Sequence, residues 1–200
     1  MKFQFKNAAY CLMLGASVFF AGACNDEGTA GDNDADSLNV ANNSNNNSAT
    51  DSTSLNAGDR DFITDMLEGN MAEVRLAQLA QQKATSAEVK QIAKTLETDH
   101  TAALNQLKDL ASRKGLTVPT EEDNDAKDTY NNLNEKTGVN FDREWTEKLM
   151  DKHDKSIKKF QDKAEDNNAD ADLKAWAAGI LPKLRTHHDQ LMAYHNKLKK

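Results

Sequence analysis

From Asp59 onward, apolar residues recur every three or four positions and no convincing period-two run interrupts them, a pattern that predicts helices and no strands. Four long helices are marked off by their end signals. The first covers about 59–83. The second opens at Thr85, where Thr85-Ser86-Ala87-Glu88 has the form of a capping box, and closes at Arg113-Lys114-Gly115, a basic last turn followed by glycine. The third starts after Gly138, with Asn140 as N-cap and Asp142 in its first turn, and runs to about Asp166; the fourth follows Asn167-Asn168 to the C-terminus. Pro182 falls inside the fourth helix, removes one backbone hydrogen bond, and should kink it.

The connections constrain how these helices pack. Turns of two or three residues join the first helix to the second and the third to the fourth, so each pair must form an antiparallel hairpin. About 25 residues separate the two hairpins, and Thr120-Glu121-Glu122-Asp123 followed by the thin apolar set Ala126, Tyr130 and Leu133 predicts a short extra helix there. A connection of that length can cross from one end of a bundle to the other. The expected fold is all-α, a ferritin-like four-helix bundle with a long crossover carrying a short helix, and up-down-up-down topology stays open.

Each long helix presents a stripe at 100° per residue. On the second it runs Val89, Ala93, Leu96, His100, Ala103, Leu104, Leu107, Ala111; on the first it runs Phe62, Met66, Gly69, Glu73, Ala77, Ala80. The third gives Leu149, His153, Ile157, Phe160, Ala164, and the fourth Leu173, Ala177, Ile180, Leu184, His187, Leu191, Tyr194, Leu198. One ionisable residue therefore interrupts each stripe near mid-helix. Mid-helix residues reach a common height whichever way a helix runs, so Glu73, His100, His153 and His187 are expected to meet. His188 and His195 lie off the stripe, while Trp145 and Trp176 lie at its edges and read as core.

Two uses of that cluster follow. Glu97, one turn before His100, matches Glu73 in height, and Glu97-x-x-His100 opposite Glu73 is one half of a carboxylate-bridged di-metal site. The other half is missing, because His153 stands where a glutamate is wanted and Leu184 precedes His187. This excludes a complete di-iron centre and leaves at most a mononuclear site for a divalent ion (zinc, copper or iron) drawn from Glu73, Glu97, His100, His153 and His187. The alternative is a buried polar network in which the same groups, with Tyr194, satisfy one another. No Ser/His/Asp or Cys/His arrangement and no glycine-rich phosphate loop is found, so no catalytic role is expected.

Composition adds the compartment. Residues 1–23, MKFQFKNAAYCLMLGASVFFAGA, combine a basic start with an apolar run too short for a membrane span and small residues before Cys24, the form of an export signal. Ala21-Gly22-Ala23-Cys24 resembles a lipobox with alanine in place of the usual leucine. Once Cys11 leaves with the signal, Cys24 is the sole thiol, and acylation gives it a use that pairing cannot. Residues 24–58 are almost wholly Asn, Ser, Asp, Thr, Gly and Ala, and cannot bury enough apolar surface to order themselves. They are expected to form a tether of about 32 Å root-mean-square span, holding the bundle of 59–200 off a membrane. Formal charge is −7, and more negative by two once Lys2 and Lys6 are gone, which argues against nucleic acid as a partner. The membrane, reached through lipid on Cys24, is the expected partner, and an outer-membrane or periplasmic lipoprotein the expected product.

Taken together, Asp61-Phe62 through Glu73-Val74 and Leu79-Ala80, Asp99-His100 with Leu104 and Leu107, Phe141-Asp142 with His153, and Leu181-Pro182-x-Leu184-x-x-His187 resemble the bacterial domain-of-unknown-function family 4142. The likeness covers about 59–198. It implies a ferritin-like four-helix bundle in an exported or outer-membrane protein and brings no activity with it. Two functions are carried forward: a lipid-anchored envelope module whose buried Glu and His residues serve packing, and a ferritin-like protein that binds or stores a divalent metal.

Overall fold

The computed structural model describes residues 55–199. The expected export signal, Cys24 and nearly all of the tether lie outside them. The folded part begins slightly earlier than periodicity indicated, since Leu55 is buried and Asn56 caps α1 (Ala57–Lys83), its side chain accepting from the Asp59 N–H at 2.8 Å. α2 spans Ala87–Arg113 and is capped by Ser86 rather than Thr85. Its far end closes on Gly115, whose φ of +70° lets the Leu116 N–H reach back to the Ala111 carbonyl at 2.9 Å. The short crossover helix is α3 (Asn124–Asn134), capped by Asp123. α4 (Gly138–Glu165) starts at Thr137, not Asn140, and α5 (Ala171–Leu198) starts on Asp170 and is one helix through Pro182. Among the described residues these five helices are the only regular elements.

Two buried aspartates fix the topology. Asp142, in the first turn of α4, accepts hydrogen bonds from the Thr85 N–H, the Thr85 hydroxyl and the Ser86 N–H at 3.0, 2.6 and 2.8 Å, so α4 begins at the end where α1 turns into α2. At the opposite end Asp59, 1% exposed, accepts from the Asp170 N–H at 2.8 Å and from Lys163 at 2.7 Å, while Lys114 at the foot of α2 pairs with Asp170. The crossover therefore runs the length of the bundle. α1 and α2, α4 and α5, α2 and α5, and α1 and α4 are then antiparallel neighbours, which is the ferritin-like arrangement. The Arg75 guanidinium lies 3.8 Å from the Tyr130 ring centre and pairs with Glu122, pinning the crossover to α1.

The core divides into two apolar clusters. One, around Leu76, Val89, Leu96, Phe141, Leu149 and Leu191, includes Tyr194 and the fully buried Trp145, whose indole N–H donates to the Leu76 carbonyl at 2.9 Å. The other gathers Ile63, Leu67, Leu104, Leu107, Phe160, Leu173 and Leu184, with Trp176 packed against it. Tyr194 thus belongs to the apolar packing and not to the polar cluster expected to recruit it. Among the described residues no helix is long and apolar enough to cross a membrane.

Candidate metal centre

Between the two apolar clusters lies a polar layer. Glu73 on α1, His100 on α2, His153 on α4 and His187 on α5 are 4, 6, 0 and 2% exposed, so all four turn inward as their stripes require. The apolar neighbours one turn away, among them Ala77, Leu96, Leu104, Leu149, Leu184 and Leu191, are buried as well and hold each backbone against the core. The three imidazole rings form a nearly equilateral triangle, with centres 5.5, 5.4 and 5.4 Å apart.

Each ring is oriented from behind by an acceptor, and this determines its tautomer. His153 Nδ1 lies 2.9 Å from the Leu149 carbonyl and must donate to it. His187 Nε2 lies 2.9 Å from Asp99 Oδ2 and donates to that carboxylate. His100 Nδ1 lies 2.9 Å from Asn70 Oδ1, and because the Asn70 amide nitrogen is already donating to the Met66 carbonyl at 2.7 Å, the ring again donates. In the neutral rings the other three nitrogens, His100 Nε2, His153 Nε2 and His187 Nδ1, therefore carry lone pairs. One ligating nitrogen from each ring lies within 4.8 Å of the other two.

Burial keeps His100 and His153 neutral. Loss of water pushes the pKa of His100 down to about 4 and that of His153 down to about 3, against which the Glu73 charge raises His100 only in part. Converging lone pairs are then a liability without a cation. His153 Nε2 and His187 Nδ1 stand 3.3 Å apart with no proton between them in the neutral forms. Glu73 Oε2 lies 3.6 Å from His100 Nε2 and 3.8 Å from His153 Nδ1, too far to bond either, and both Glu73 Oε2 and His100 Nε2 lack a hydrogen-bond partner. A divalent ion could be held by one nitrogen from each of the three rings. Metal–nitrogen bonds of about 2.0–2.1 Å put tetrahedral ligand nitrogens about 3.4 Å apart, close to the 3.3 Å between His153 and His187.

Glu97 is not part of this layer. Its carboxylate turns the other way and accepts from Gln78 and Gln81 on α1 at 2.8 and 2.7 Å, bonds that hold it below the usual carboxylate range. The expected Glu97-x-x-His100 pair is therefore corrected: the carboxylate that serves the cluster is Asp99, next to His100 in sequence but bonded to His187 on α5. Asn70 and Asp99 were both missed, although Asn70 stands one turn before Glu73 and Asp99 beside His100. His187 rather than His188 faces inward, His188 pairing with Asp154 at 3.0 Å, and His195 lies 3.7 Å from Glu147.

A groove of about 290 Å³ between α1 and α4 leads to this layer, reaching Asn70, Glu73 and His100. Gly69 lines it, and a Cβ built there would meet nothing within 4 Å.

The long-crossover arrangement is that of a ferritin-like helical bundle, with three buried imidazoles close together at mid-height. Residues 44–194 match the family model described as Domain of unknown function (DUF4142), and the chain belongs to that family. Among solved structures it is similar to the crystal structure of a DUF305 fragment from Deinococcus radiodurans, with a TM-score of 0.64 and 11% identity over 72% of this chain and 99% of that one, a likeness of fold. No curated protein matches the chain.

Proposed function

We propose that this is an exported, lipid-anchored envelope protein that binds one divalent transition-metal ion through His100, His153 and His187, buffering or storing it. The observation that carries the metal reading is the convergence of three imidazoles, one nitrogen from each within 4.8 Å of the other two, with each ring fixed by Leu149, Asp99 or Asn70. A polar network without metal accounts for less, since it leaves His100 Nε2 unpartnered in the core. All-imidazole ligation suits zinc, copper or iron. The lipobox-like Ala21-Gly22-Ala23-Cys24 and the polar stretch after it support the anchor and the tether.

Metal analysis of the full chain, purified without chelators and then offered Zn²⁺, Cu²⁺ or Fe²⁺, tests the site. One ion per chain is expected for the wild type, and none for His153→Ala or His187→Ala. A wild-type chain that takes up none of the three ions overturns the reading.

A further inference from the structure

Three histidines give a divalent ion three of the four ligands that a tetrahedral site needs. The tight set of nitrogens does not extend to Glu73, whose Oε2 approaches His100 Nε2 only to 3.6 Å. Glu73 and His100 are instead the two members of the layer that line the α1–α4 groove, and the two that hold an unpartnered polar atom while more than nine-tenths buried. His153 and His187 lie behind them, away from the groove. The unmet hydrogen-bonding capacity of the layer is thus gathered on its groove side.

The groove itself is held open. Gly69 lies within a 27-residue helix, where glycine costs about 1 kcal/mol relative to alanine, and it makes no close packing contact in return: an added Cβ would meet only space. At the mouth the charges balance, with Asp65, Glu68 and Asp123 facing Lys152, Lys155 and Lys159, and Lys159 already paired with Asp65 at 3.0 Å. The rim therefore selects neither cations nor anions by net charge, and selection falls to the floor. There a doubly charged ion held by neutral imidazoles favours a small electron-pair donor, and the free Glu73 oxygen favours one that carries a proton.

We propose that the α1–α4 groove is the port of the metal site, leaving the ion one exchangeable position that is taken by water hydrogen-bonded to Glu73 and open to replacement by a small monodentate anion. This rests on the metal reading above. It differs from a closed structural site, in which a fourth protein ligand would seal the ion from solvent.

The test loads the full chain with Co²⁺, whose visible absorption reports its ligands, and titrates it with azide. A saturable shift of the cobalt bands is expected for the wild type. Gly69→Phe, which fills the groove, should keep the cobalt bands and weaken the azide response at least tenfold, with Gly69→Ala close to wild type. Glu73→Gln, which removes a negative charge beside the open position, should tighten azide binding several-fold. Cobalt uptake with a spectrum blind to azide, or a Gly69→Phe response equal to wild type, overturns the port and leaves the metal reading standing. Failure to take up cobalt or any other divalent ion removes both.

Discussion

Asp99 Oδ2 accepts from His187 Nε2 at 2.9 Å while Asp99 Oδ1 accepts from Lys183 at 2.7 Å, so one carboxylate is held by two residues of α5. Burial pushes this carboxyl up, and the bonds from Lys183 and His187 outweigh it, leaving it below its ordinary range and charged. A charged acceptor behind the ring keeps a proton on Nε2 and holds Nδ1 toward the cluster. Asp99→Ala should weaken metal affinity about 10- to 100-fold with the three ligands untouched, read by competition against a chromophoric chelator. Equal affinity in the variant would show that His187 does not need this support.

Stability of the metal-free chain should fall as the solution becomes mildly acidic. His100 and His153 are depressed to about 4 and 3, below the ordinary 6.5, so the unfolded chain takes up protons that the fold refuses. Their penalty is absent well above pH 6.5 and grows as pH drops through 6.5 toward those two values. Between pH 6.5 and 5 the loss from His100 alone is about 1.5 kcal/mol, visible in urea midpoints measured with chelator present. A midpoint that does not move over this range contradicts neutral burial.

Asp142 offers a control remote from the metal. It caps α2 from another helix, accepting three hydrogen bonds while 1% exposed. Asp142→Ala should destabilise the bundle by about 2–3 kcal/mol, because the Thr85 and Ser86 N–H groups lose a charged acceptor. Metal content per folded chain should stay at the wild-type value.

For the anchor, mass spectrometry of the mature protein should find a lipid-modified N-terminal Cys24, and Cys24→Ser should release the chain from the membrane fraction. An unmodified Cys24 in the wild type would refute the proposed tethering.

The helices and their inward residues were legible because burial repeats with the helical period: one buried stripe per helix is enough to place Glu73, His100, His153 and His187 inside, and the two short turns with one long connection bring them to one level. What periodicity could not resolve is which way a side chain flanking a stripe turns. Glu97 and Asp99 lie on either side of His100, and only the neighbours decide that Glu97 meets the glutamines of α1 while Asp99 meets His187 of α5. The caps misled for the same reason. Thr85 matches a capping box by spacing, yet its N–H and hydroxyl are taken by Asp142, 57 positions away. Composition and period determined the all-helical bundle and its four inward polar groups, since those depend on each helix alone. The tautomers, the convergence of the ring nitrogens and the groove beside Gly69 depend on atoms from four helices at once, and only their packing decided them.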